Sequence, residues 1–130
     1  MKERLDAEIA LIRAFYPDAE YREDARWVRL PVYRLPPGVW EQEMVEVALQ
    51  IPPGYPGEAP YGIYVRPGLR LKGSGQRPQN YEEPITIPFG TDWGKFSWQQ
   101  DGWKPAADMR SASNLMNVIR TFADRFRQGA

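Results

Sequence analysis

The chain has 130 residues with 17 basic and 17 acidic side chains, so its formal net charge is zero. That length is one domain's worth, and a balanced charge gives no overall pull toward nucleic acid. Neither cysteine nor histidine occurs, which excludes disulfides, thiolate nucleophiles, Cys-ligated zinc, imidazole bases and any Ser-His-Asp triad. Carboxylates remain as ligands for hard cations, but no loop has calcium-binding spacing, so no metal or other cofactor is expected. No apolar run is long enough to span a bilayer. The charged start, residues 1–6, leads into no signal-type apolar stretch. Together these features point to a soluble, cytoplasmic protein with no membrane partner.

Residues 2–16 read as a helix. Leu5, Ile9, Ile12 and Tyr16 recur at helical spacing, with Leu11 and Phe15 widening the apolar face and Lys2 and Arg4 on the polar side. Pro17 ends it. A meander follows. Val28, Leu30 and Val32 alternate with their neighbours, and Val45, Val47, Leu49 and Ile51 do the same, the period-two pattern of a sheet buried on one face. Leu35-Pro36-Pro37-Gly38 makes the turn between them. A shorter strand spans residues 61–65, after a proline- and glycine-rich crossing at 52–60. Residues 66–84 are loop by composition. Ile85, Ile87 and Phe89 form a last short strand that Pro88 confines to an edge. In the final helix Leu115, Ile119, Phe122 and Phe126 share one face, supported by Met116 and Ala123. Ser111 or Ser113 is the expected N-cap, Arg125 and Arg127 suit the negative end, and Gly129 lies just past it. The expectation is one α+β domain over residues 1–130: an N-terminal helix, a four-stranded antiparallel meander, an irregular segment, and a C-terminal helix.

Two stretches carry a resemblance. In the first, the alternating strand Glu46-Val47-Ala48-Leu49-Gln50-Ile51 runs through Pro52-Pro53-Gly54-Tyr55-Pro56-Gly57-Glu58-Ala59-Pro60 into Tyr61-Gly62-Ile63-Tyr64-Val65. The second is Gly94-Lys95-Phe96-Ser97-Trp98 followed by Trp103-Lys104-Pro105-Ala106. In this order they resemble the ubiquitin-conjugating enzyme superfamily. Tyr55-Pro56 and Pro60 match the Tyr-Pro crossing between two strands, and Trp103, Pro105 and Ala106 match a Trp-x-Pro-Ala segment that leads to a helix. Ser97 stands where that family has its catalytic cysteine. The sequence departs from the family in further ways. The family's His-Pro-Asn is missing, with Phe89 at the place of its asparagine, and the gap from Ser97 to Trp103 is short. Two helices are read here, without the family's last two. Short, divergent relatives of this kind occur in bacterial operons beside activating enzymes and ubiquitin-like proteins.

The resemblance implies two partners, a ubiquitin-like protein and a ubiquitin-activating-enzyme-like protein. It also implies a role for Ser97, which would accept the modifier's C-terminus as an oxyester. An alcohol ionises far less than a thiol and needs a base. Asp92 and Asp101 flank Ser97 and are candidate supports, although aspartates among glycines are more often turn-formers; a base supplied in trans by the activating enzyme is the other possibility. A serine keeps a nucleophilic oxygen that alanine or glycine would not. The alternative is a non-catalytic adaptor with the same fold. Lys2 and Arg4 are candidate contacts for the activating enzyme, against simple solvation of a helix face. Trp93 and Trp98, where exposed, are candidate partner contacts, while Trp103 is expected to fill the core. The basic run from Arg66 to Lys72, with Arg77 and Tyr81, reads as a solvated loop rather than a nucleic-acid contact. A third reading, an unrelated sheet-and-helix interaction domain, predicts a sheet that is not such a meander.

Overall fold

A computed structural model describes residues 2–100, 102–104 and 113–129. Helix α1 (Lys2–Phe15) buries Leu5, Glu8, Ile9 and Ile12 on one face. Four strands then run antiparallel in chain order: β1 (Glu20–Arg22), β2 (Trp27–Arg34), β3 (Met44–Gln50) and β4 (Tyr61–Arg66). Three of these, β2 to β4, are the first three strands expected of the meander, whereas β1 goes unread in the sequence and the strand expected at residues 85–89 falls in the hairpin that follows. The meander is extended by that hairpin of β5 (Tyr81–Ile87) and β6 (Gly90–Gln99), which docks through β6 onto β4, so the six-stranded order is β1-β2-β3-β4-β6-β5. Helix α2 (Leu115–Gln128) closes the chain.

Both helices pack on one face of the sheet. Ile9 and Ile12 of α1 and Ile119, Phe122 and Phe126 of α2 meet Val28, Leu30, Val47, Leu49, Ile63, Val65 and Phe96. The opposite face carries a smaller cluster of Trp27, Ala48, Ile87 and Trp93.

The structure corrects several sequence expectations. The segment read as irregular is the ten-residue strand β6, paired on both sides. The composition-based loop gives up Tyr81 to Pro84 to β5, which does lie at the sheet edge. Val32 is exposed rather than buried, because a bulge between Leu30 and Tyr33 shifts the register with β3 and brings Tyr33 inward instead. Phe15 is exposed, with the Arg120 guanidinium 5.5 Å over its ring. The cap of α2 is Asn114, neither serine. Its side chain accepts from the Asn117 N–H while the Asn117 side chain accepts from the Asn114 N–H, a reciprocal box. Ser113 instead receives the Lys104 N–H on its hydroxyl (3.0 Å), and Ser111 lies outside the described residues.

Candidate functional site

The proline-rich crossing after β3 folds back onto α1. Tyr55 is buried and donates its hydroxyl to the Glu8 carboxylate at 2.7 Å. Glu8 is 1% exposed and also accepts from the Leu115 N–H at the start of α2 (2.6 Å) and from Arg4 Nε (2.8 Å). The Trp103 ring packs against Tyr55 with centroids 5.8 Å apart, and its indole N–H donates to the Pro56 carbonyl at 2.7 Å. One carboxylate thus ties together α1, the Tyr-Pro crossing and the first turn of α2, and Trp103 packs against that crossing. Sequence reasoning missed Glu8. The available signal was its register: it stands three residues after Leu5 and four before Ile12, on the buried stripe.

The second motif lies on β6 and is split by the strand's alternation. Phe96 turns to the helix face, 4.8 Å from Tyr81, and Trp98 is half-buried with its indole N–H on Thr121 Oγ1 at 3.1 Å. Gly94 has no side chain because the Tyr81 phenol fills that space. Lys95 turns to the opposite face, where its ammonium lies 5.5 Å from the ring centroids of both Tyr61 and Tyr64. Gly62, with φ of 89° beside a bulge in β4, makes room for it; a Cβ there would stand 3.0 Å from Lys95 Cε. Ser97, two residues on from Lys95, shares that face. It is exposed, its N–H donates to the Asn80 carbonyl at 2.9 Å, and its hydroxyl bonds no described residue.

The structure therefore joins Tyr55, Pro56 and Trp103 on the helix side, but turns Ser97 away from them. Asp92 precedes Ser97 by five residues on the same strand, about 16 Å at the usual rise per residue, beyond proton-transfer reach. Its carboxylate instead accepts from Arg66 Nη1 at 3.3 Å. Asp101, Pro105 and Ala106 lie outside the described residues. The Tyr33, Tyr55 and Tyr81 phenols are pushed above the ordinary tyrosine value by burial, so none supplies a base near neutral pH.

The remaining candidates sort by burial. Lys2 is exposed and lines a shallow pocket of about 200 Å³ with Asp6, Tyr21, Glu23 and Arg26. Arg4 was placed on the polar side of the helix; its side chain instead turns inward, onto Glu8, the Ser113 carbonyl and the Tyr55 ring. Trp93 is 0% exposed, so the surface ring expected of it is absent. It sits under the Arg66 guanidinium and beside Phe89 on the outer face, and its indole N–H finds no partner. Phe89 also packs edge-on against Trp27. Across this face Glu46 accepts from both Arg29 and Arg66. Hydrogen bonds from Arg66, reinforced by Arg29, hold its carboxyl below the usual glutamate range despite partial burial. In the basic run, Arg66, Arg70 and Arg77 each meet a carboxylate. Among the described residues no group of three potential ligands is placed to hold a metal, and no helix is long and apolar enough to cross a membrane.

A helix, an antiparallel meander, a proline-rich crossing whose buried Tyr55 packs against Trp103, and a following helix define the chain as an E2-like domain, of the ubiquitin-conjugating-enzyme type. The family model for prokaryotic E2 family E matches residues 14–123, and the chain belongs to that family. No curated protein and no solved structure matches it.

Proposed function

We propose that this chain works as a conjugating-enzyme-like adaptor, which binds a ubiquitin-like protein or its activating enzyme without forming an acyl bond itself. The observation that carries this reading is the setting of Ser97. Its hydroxyl stands on an open strand face, turned from Trp103, and no described residue is hydrogen-bonded to it. A cysteine at such a place would still be a few per cent thiolate at neutral pH, roughly, and would react unaided; an alcohol does not. Family membership supports the binding half of the proposal. Ser97 as an oxyester acceptor is the competing reading, and the exposure of its hydroxyl is what favours it.

The two are separated by mixing the chain with a ubiquitin-like protein, its activating enzyme and ATP. The adaptor reading expects a non-covalent complex of equal affinity for wild type and Ser97→Ala, and no hydroxide-labile adduct. An adduct on wild type that is absent from Ser97→Ala replaces it with the oxyester reading. Ser97→Cys adds a check: a thiol-reducible adduct there would show that the modifier's tail reaches this face.

A further inference from the structure

We draw no further inference here: the strongest candidate, the side-chain row of Glu82, Lys95 and Ser97 on the outer face of the β5–β6 hairpin, belongs to the site already described, and Glu82, the cross-strand partner of Lys95, balances the one cation in it.

Discussion

Glu8 is the residue on which the helix-side assembly turns, and its removal has a large calculable effect. Glu8→Ala strands the Tyr55 hydroxyl and the Leu115 N–H and takes the ion-pair partner from Arg4, which keeps its bond to the Ser113 carbonyl. Breaking one side of a buried ion pair costs about 3–5 kcal/mol, and each polar group left without a partner about 1–3. Arg4 recovers part of this by reaching water, since its side chain is 10% exposed against 1% for Glu8. The net loss is about 5 kcal/mol, comparable to the lower end of the stability expected of a whole domain. Glu8→Ala should therefore lower the melting midpoint by about 15 °C or more. Tyr55→Phe removes one hydroxyl and leaves Glu8 two donors, so it should cost only about 1 kcal/mol. The assay is urea unfolding followed by tryptophan fluorescence, in which Trp103, packed against Tyr55, reports the local site. A cost below about 1 kcal/mol for Glu8→Ala, or equal costs for Glu8→Ala and Tyr55→Phe, would refute the claim that this carboxylate organises the three elements.

Glu46→Gln should change the acid limb of the stability profile. Because the folded carboxyl lies below its ordinary value of about 4.3, it contributes stability that is complete above about pH 5 and is lost as pH falls through the folded value. The gap between wild type and variant in urea midpoints should close on acidification; a gap unchanged down to pH 3 would contradict the pairing with Arg66. Gly94→Ala drives a methyl group into the Tyr81 phenol and should cost more than about 2 kcal/mol, with most of it returned by adding Tyr81→Ala; additive losses would place the clash elsewhere. Asn114→Ala removes the cap of α2 and should cost about 1 kcal/mol by thermal melting. Trp93→Phe gives up volume but also removes an indole N–H that is buried without a partner. It should therefore cost clearly less than the roughly 3–5 kcal/mol of Trp93→Ala, and equal costs would mean that the N–H is satisfied after all.

What the sequence made legible was whatever a single periodicity records. The apolar stripes of α1 and α2, the alternation of β3, and the Tyr-Pro and Trp segments all appear where residue type and spacing put them. The misses share a cause: each depends on a distant residue. Gly94 looks like loop until Tyr81 is seen to occupy its missing side chain, and β6 is hidden with it. Val32 looks buried because the alternation of β2 is counted straight through Pro31, whereas the bulge opposite Glu46 resets it. Arg4 and Glu8 look like surface charges because their polarity is visible and their pairing with Tyr55, 47 residues from Glu8, is not. The same logic decides how Ser97 reads. From spacing alone, Ser97 and Trp103 belong to one signature and invite one site. Once residues 90–99 are a strand, period two sends Phe96 and Trp98 to the helix side with Trp103 and sends Ser97 to the other face with Lys95. The alternation that leaves the serine hydroxyl accessible thus also separates it from the tryptophan that completes its motif, and this separation is the ground on which we propose binding rather than acyl transfer.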